Sequence, residues 1–506
     1  MRAQSDPYTQ GLALSAQSRH FEAIECFEMA LAQRPNDTSV LFALGNTAAA
    51  LGMVKPAETL FRQVLALEPG RLEALVNLAN LLRAEGQFIA AEALLAPALA
   101  RHAASPELWL TLGSVFRETG DLARAASHYR AALNLSPDYP PALGNLADIL
   151  ADEGNIEEAL ALYDRVIAAD PKSAQARLNR AILHLSTGDL AQGWHDYEAR
   201  KDISGKSAQP DRAFVEWDGQ SLARTRLLIR AEQGIGDQIM FASLIPELAA
   251  RAQEEEGAII LECEQRLVPL FKRSFPTVTI APSHIEKRGG ILTAAYGWLD
   301  ATGGAEAAVL LGSLARRLRE QLRQFPNPHR YLEPDRNETR RWHEFFRSAG
   351  PAPIVGLCWR SGAKGGARAV QYAPLEVWAE FVRTLPGIAV VAQYDATEDE
   401  ICALEQHSGK ALVRPPGLDQ KNELDRTCAM LAALDAVVAA PTAVSWLAAA
   451  AGVPTFKILY DTSWTSFGCA YEPFAPSAEL MMPKMRGDFS GSLAQARSRC
   501  CPRACA

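Results

Sequence analysis

The 506-residue sequence predicts two unlike parts: a stack of helical hairpins over residues 1–200, and an α/β region of two parallel-sheet halves over residues 224–350 and 351–491. Glycine recurs at one fixed spacing through the first part. Short unbroken apolar runs alternate with helical stretches in the second. A polar segment at residues 201–223 separates the two patterns.

The first pattern is a lattice of 34 residues. Gly52, Gly86, Gly120, Gly154 and Gly188 all fall on it. A small residue keeps the same period as Ala23, Ala57, Ala91, Ala125 and Ala159. A large one recurs as Phe27, Phe61, Leu95, Tyr129 and Tyr163, and proline as Pro35, Pro69, Pro137 and Pro171, with Ala103 as the one miss. The physical unit is a helix, a turn and a second helix. Glycine allows the turn, the small residue lets the two helices approach, and the large residue fills the space between them. Proline closes the second helix. One such unit cannot bury its own apolar face, so the units stack. The pattern resembles the tetratricopeptide repeat, with five full units and a divergent sixth. The resemblance implies a groove that takes a protein partner. In the sixth unit Gly193-Trp194 stands at the small position and its neighbour, and Trp194 is expected to pack against the region C-terminal to the repeats as a junction.

The segment 201–223 is rich in Gly, Ser and Pro and reads as a connector anchored by Trp217. Beyond it, RLLIR, AIILEC, VTIAP, IVGLCW, IAVVAQY, LDAVVAAP and PTFKIL are apolar without polar alternation. Buried parallel strands covered by helices on both faces have that signature. Ligands of such sheets sit past the carboxyl ends of the strands, so the turns there are the places to search.

The first turn is AEQGIGDQIMF. Gly234 and Gly236 match the start of a dinucleotide fingerprint, but Ile239 stands at its third glycine, so that reading fails. Asp237 comes next, at a helix start. On the residues alone it is a helix cap. The functional reading is a carboxylate at the mouth of the cleft, kept ionised by the helix end and able to take a proton from a hydroxyl. The second turn, WRSGAKGGARAVQY, holds four glycines with Arg360, Lys364 and Arg368, which suits an anion. The third, PTAVSWLAAAAGVP, places Thr442 and Ser445 at another helix start, suited to capping and to phosphate alike.

Composition removes several alternatives. A net charge of −8 without clustered Lys and Arg argues against nucleic acid. No apolar window has the ~20 residues of a membrane helix, and the N-terminus has no signal-peptide core, so a cytoplasmic protein is expected. There is no HExxH, no DxD at a strand end and no paired histidines, so no metal is expected. Gly-x-Ser-x-Gly is absent as well. The nine cysteines are scattered apart from Cys500, Cys501 and Cys505 in RCCPRACA, at the end of the tail at residues 492–506, where three thiols could bind metal or react but an unstructured end with reduced thiols is the favoured reading.

With the motifs in place, the chain resembles a tetratricopeptide-repeat superhelix fused to a GT-B glycosyltransferase-like domain of two Rossmann-like halves. The bacterial type is similar to heptosyltransferases and distantly to O-linked N-acetylglucosamine transferases. The residues that carry the resemblance are GW–x2–YE–x–R at Gly193–Arg200, Trp217-Asp218-Gly219, AEQGIGDQIMFASLIP, LEC at Leu261–Cys263, VGLCWRSG and LDAVV…PTAVSWLAAAAGVPTFKI. It implies a nucleotide-activated sugar donor, which is a substrate, with no separate cofactor and no metal. The acceptor would be a Ser or Thr hydroxyl of a protein brought in by the repeats, with flagellin or another surface protein as the example the resemblance points to. Asp237 would be the catalytic base. Arg360, Lys364, Arg368 and the Thr442 helix start would face the donor phosphate. Gln393 and Asp425 would lie near the same cleft. One departure stands out. The family often has Asp before the Thr and His four residues after it, where this chain has Pro441 and Trp446. A non-catalytic binding scaffold on the same repeats is the alternative from another class. A nicotinamide-dependent oxidoreductase fits poorly because the fingerprint is incomplete.

Overall fold

The computed structural model describes residues 6–203, 208–288, 291–326, 330–362 and 370–501. It forms two compact units, Met1–Ala176 and Arg177–Ala506. The division falls inside the sixth repeat, earlier than the end of the repeat pattern at residue 200.

The first unit is helical hairpins throughout. Its helices pair as α1 and α2 (Pro7–Ala16, His20–Gln33), α3 and α4 (Thr38–Ala50, Val54–Leu67), and α5 and α6 (Leu72–Ala84, Phe88–Arg101). Next come α7 and α8 (Pro106–Glu118, Leu122–Leu135) and α9 and α10 (Pro140–Asp152, Ile156–Ala169). The lattice glycines sit in the turns with left-handed backbone, Gly52 at φ 73° and Gly154 at φ 81°. The first hairpin obeys the same geometry with a different residue. Ser18 lies 34 residues before Gly52 and holds φ 59°, so its turn carries no glycine signal.

The large lattice residues are buried against a second small position that sits in the first helix of each pair. A Cβ on Gly11 would lie 2.5 Å from the Phe27 ring, on Gly45 2.8 Å from Phe61, and on Gly113 2.7 Å from Tyr129. The rings therefore fill space that only glycine leaves open.

The boundary falls within α11 (Ala174–Ser186), and the second unit continues with α12 (Leu190–Tyr197), which runs on as a 3-10 turn, Glu198–Asp202. The first α/β half contains β1 (Gln209–Pro210), β2 (Arg226–Arg230), α13 (Ile235–Phe241), α14 (Ile245–Glu254), β3 (Ala258–Cys263), α15 (Val268–Ser274) and β4 (Thr279–Pro282). It continues with β5 (Ile285–Arg288), β6 (Ile291–Ala294), α16 (Trp298–Ala301), β7 (Ala307–Leu310), α17 (Leu314–Leu318) and α18 (Arg336–Arg347). The second half has β8 (Ile354–Cys358), α19 (Leu375–Thr384), β9 (Ile388–Val391), α20 (Glu398–Ser408), α21 (Leu424–Leu431) and β10 (Ala436–Ala439). It ends with α22 (Ala443–Ala450), β11 (Thr455–Ile458), β12 (Ala478–Met481) and α23 (Phe489–Cys500).

The first main sheet has order β4-β3-β2-β7 and the second β12-β11-β10-β8-β9. Every pairing in both is parallel. All residues of β8 and β10 are buried, which is why these runs show no alternation. The order reverses between β2 and β7 in one sheet and between β8 and β10 in the other. Crevices form at such points, beyond the strand ends. Residues 201–223 do more than connect: Gln209 and Pro210 pair with Thr293 and Ala294 beside the β5–β6 hairpin, and Glu216 bridges to Ala308.

Trp194 is a junction. It is buried among Phe241, Trp464, Phe467 and Phe474, and its Nε1 donates to the Arg319 carbonyl at 2.9 Å. One apolar core takes in α12 and both α/β halves. The expectation for the tail needs correction. Helix α23 runs to Cys500, and Cys500 and Cys501 are buried in the core of the second half. The physical reason is that Leu493, Ala496 and Cys500 form an apolar stripe on this helix, while Arg499 stays exposed and pairs with Glu479. Cys505 lies outside the described residues.

Candidate functional site

The turn after β2 is held from behind. Glu232 accepts from Arg200 Nε at 3.0 Å, Arg200 Nη2 at 2.5 Å and the Gly312 amide at 2.8 Å, which ties together β2, β7 and the 3-10 turn. Gln233 has left-handed backbone at φ 59°, and its side-chain amide is bonded to the buried Tyr197 hydroxyl at 2.9 Å. A strained non-glycine residue costs on the order of 1 kcal/mol and persists only where surroundings over-determine it. Here the surroundings are the Tyr-Glu-x-Arg residues of the divergent repeat. The GW–x2–YE–x–R motif is therefore a brace for the EQGIGD turn.

Past that brace, Gly234 is the N-cap of α13 and Asp237 is its third residue. The expectation that Asp237 is itself the N-cap is corrected: its Oδ2 accepts from the Gly234 amide at 3.1 Å, from inside the helix. The helix start does not set its ionisation alone. Burial pushes the Asp237 carboxyl above its ordinary value, with Glu232 adding to the rise and the Gly234 N–H opposing it. Its surroundings favour the protonated form more than a bare helix start would.

Gly236 brings the two halves together. A Cβ there would lie 3.5 Å from Trp446 Cδ1 and 3.6 Å from Ala443 Cα, so the starts of α13 and α22 abut. At α22 the Ser445 hydroxyl accepts from the Thr442 amide at 3.2 Å and donates to the Thr442 carbonyl at 2.8 Å. Ser445 is fully buried, so its place is in the cap and not on an anion. Thr442 Oγ1 lies 3.5 Å from Cys358 Sγ, which also reaches Gln393 Oε1 at 3.5 Å. The ends of β8, β9 and β10 are thereby linked. Burial pushes the Cys358 thiol up to about 12, so it stays a thiol.

Gln393 belongs to this network and does not face open space. It accepts from the Arg360 amide at 3.0 Å and donates to the Arg360 carbonyl at 2.9 Å and Asp395 Oδ1 at 2.8 Å. The expected anion role of Arg360 is also corrected. Nε and Nη2 bond Glu400 at 2.7 and 2.6 Å, Nη1 bonds Asp395 at 2.8 Å and the Ser361 carbonyl at 3.1 Å, and Nη2 bonds the Asp395 carbonyl at 3.1 Å. All five N–H groups have partners. Asp425 is brought elsewhere. It forms a bidentate pair with Arg273 and lines a polar cavity with Asp335, Glu338 and Arg426, apart from the Gly236–Thr442 contact. Lys364 and Arg368 lie outside the described residues.

The structure therefore assembles Gly234, Gly236, Asp237, Thr442 and, through Cys358, Gln393. It also adds residues that sequence reasoning passed over. A cavity of about 290 Å³ between the halves is lined by Ile235, Gly236, Arg266, Tyr394, Gln420 and Lys421, with the apolar flank of α22. Gln420 and Lys421 come from DQKN before α21, a polar stretch without glycine that reads as plain loop. Among the described residues no helix is long and apolar enough to cross a membrane, and no three His, Cys, Asp or Glu side chains are grouped to hold a metal ion.

These features define a protein with a tetratricopeptide-repeat N-terminal part, the kind of array that binds proteins, joined to an α/β unit of parallel sheets. Family models described as tetratricopeptide repeat match residues 8–71 and 76–140, and 116–182 and 150–193. Protein FlbA of Caulobacter vibrioides is 32% identical over 316 residues, 62% of this chain and 53% of that protein. The chain thus spans about half the length of that curated relative, and the aligned stretch is longer than the repeat array, so it reaches into the α/β unit. A thermophilic tetratricopeptide-repeat protein of Thermus thermophilus is 28% identical, with a TM-score of 0.33, covering 36% of this chain and 100% of that one. PilF of Pseudomonas aeruginosa is 20% identical, with a TM-score of 0.35, covering 40% of this chain and 91% of that one.

Proposed function

We propose that the α/β unit is a GT-B-type glycosyltransferase, working in the cytoplasm, that moves a sugar from a nucleotide-activated donor to a Ser or Thr hydroxyl of a protein held by the repeats. The observation that supports this most is the meeting of α13 and α22. Both start at the carboxyl ends of parallel strands, one in each half, and Asp237 sits at that meeting point with its carboxyl pushed up by burial. In the proposed step the acceptor oxygen attacks the anomeric carbon, the bond from that carbon to the donor phosphate oxygen breaks, and Asp237 takes the hydroxyl proton. The leaving phosphate keeps the electron pair. A base whose carboxyl lies above the usual range is better matched to this than an ordinary aspartate. Flagellin or another surface protein is the proposed acceptor.

A second reading has its own support. Arg360 is saturated by Asp395 and Glu400, and Trp446 is held under Lys457, whose Nζ lies 3.2 Å from the ring centroid. With Pro441 these favour a repeat scaffold that has lost transfer. Thermal shift against UDP, GDP, CMP and ADP separates the two. A nucleotide at about 100 times its dissociation constant stabilises by about 2.7 kcal/mol. A shift with one nucleotide, retained in Asp237→Asn while transfer is lost, is the expected result. No shift with any nucleotide in a folded sample would move the assignment to the scaffold.

A further inference from the structure

The turn that leads to Asp237 opens at Ala231, just past the end of β2. The parallel ladders to β3 and β7 stop at Ile229 and Arg230, so the Ala231 amide needs an acceptor from elsewhere. Glu262 of β3, the acid of the Leu261–Cys263 motif, supplies it. Its Oε2 accepts from the Ala231 amide at 2.9 Å and from the Tyr296 hydroxyl at 2.9 Å. Glu262 is only 1% exposed. A buried carboxylate is costly unless it is bonded, and these two bonds fix its place. Tyr296 is fixed in turn. It is buried, its amide donates to Asp211 Oδ1 at 3.2 Å, its hydroxyl accepts from Arg230 Nε at 3.0 Å, and its ring meets the Phe214 ring edge-on at 5.0 Å. The hold on Ala231 thus draws on the connector and on the chain that leaves the β5–β6 hairpin.

The second half meets the same demand with a neutral group. Past β8, the Arg360 amide donates to Gln393 Oε1 at 3.0 Å, and Gln393 follows the neighbouring strand β9. In each half, then, a side chain from the adjacent strand takes an amide just beyond the strand where the sheet order reverses. The shared feature is the acceptor, not its charge. In the first half the hold continues residue by residue: Ala231 by Glu262, Glu232 by Arg200, Gln233 by Tyr197, and the Gly234 amide by Asp237 itself. Slack at Ala231 is passed along this chain to the Asp237 carboxyl. We propose that Glu262 is a positioning residue for the transfer step: through the Ala231 amide it fixes the turn that aims Asp237 at the acceptor hydroxyl, and Tyr296 sets Glu262. This rests on the reading of Asp237 as the base.

Two measurements on the full chain test it. Hydrogen exchange of the segment 231–241, read by mass spectrometry, reports the hold without any substrate. Release of nucleotide from UDP-N-acetylglucosamine, GDP-mannose, ADP-glucose and CMP-N-acetylneuraminate reports the step, with water attacking the anomeric carbon, Asp237 taking its proton and the nucleotide leaving with the bonding pair. Glu262→Met should speed exchange in that segment and lower kcat roughly tenfold, with the Kd of the parent nucleotide within about twofold of wild type, because an interaction that only aims the base is lost from kcat and not from binding. Glu262→Gln keeps an acceptor and should return kcat to within about threefold of wild type. Tyr296→Phe should fall between the two in both measurements, which keeps the test open if Glu262→Met does not fold. Glu262→Gln as slow as Glu262→Met, or exchange unchanged in both Glu262→Met and Tyr296→Phe, overturns the positioning role and leaves Asp237 standing as the base. No release from any of these donors by the wild-type protein, or release that Asp237→Asn retains, overturns the base reading and the proposal with it.

Discussion

Arg200→Met should be among the most damaging single changes in the second unit. Arg200 is buried, and its guanidinium bonds Glu232 through Nε and Nη2, Glu198 Oε1 at 3.0 Å, Ser313 Oγ at 2.9 Å and the Tyr197 carbonyl at 3.2 Å. Methionine fills much of the volume but leaves Glu232, whose side chain is only 3% exposed, with the Gly312 amide as its remaining donor. Breaking a buried pair from one side costs about 3–5 kcal/mol, mostly as the penalty of the stranded charge. Glu198 loses less, because Lys201 Nζ stays 2.6 Å away. The assay is urea unfolding followed by tryptophan fluorescence. Of the nine tryptophans only Trp109 precedes residue 177, so the signal reports the second unit. Arg200→Met combined with Glu232→Gln should recover part of the loss, because the stranded charge is gone. Nucleotide binding, where present, should fall with Arg200→Met, since Glu232 and Gln233 set the turn before Gly234. Stability within about 0.5 kcal/mol of wild type, or a double variant worse than the sum of the singles, would refute the brace.

Three further outcomes rest on the same geometry. Gly113→Ala forces a Cβ to 2.7 Å from Tyr129 and should cost about 1–3 kcal/mol of repeat stability by thermal unfolding, whereas Gly144→Ala meets nothing within 4 Å and should be neutral or stabilising by up to ~1 kcal/mol. Asp237→Asn should raise stability at neutral pH: the folded carboxyl is pushed up, so ionisation opposes folding above its ordinary value, and the gain should vanish as pH falls below that value. A native sample treated with a thiol reagent and mapped by mass spectrometry should label exposed Cys402 quickly, and Cys358, Cys428, Cys500 and Cys501 only after unfolding.

The repeat lattice was legible because each element of it answers a local demand. Glycine meets a left-handed turn, alanine a close helix contact and a ring the space between. Only the turn of the first unit gives no glycine signal, because Ser18 adopts there the left-handed backbone that glycine marks elsewhere. The buried strands were legible for a similar reason, since β8 and β10 are apolar at every residue. Strands β5, β6 and β12 were not, because Glu286, Lys287, Thr293 and Glu479 interrupt their apolar runs, and the alanine-rich β7 reads equally as helix. Site residues fared less well. Residue type made Arg360 an anion ligand, but Asp395 and Glu400, 35 and 40 positions away, claim it. Nothing local in DQKN shows that Gln420 turns inward against Val391. Pairings of that kind are decided by tertiary packing, which spacing alone does not encode.

The last helical hairpin keeps the repeat's spacing but gives its aromatic face to the α/β unit, with Trp194, Tyr197 and Arg200 all spent there. That hairpin, unlike a plain repeat, is part of the α/β unit's own core. A truncation made where the periodicity ends, at residue 200, would strip the α/β unit of its own wall. The cut that respects the molecule lies ahead of α11, and domain swaps between relatives should be spliced there.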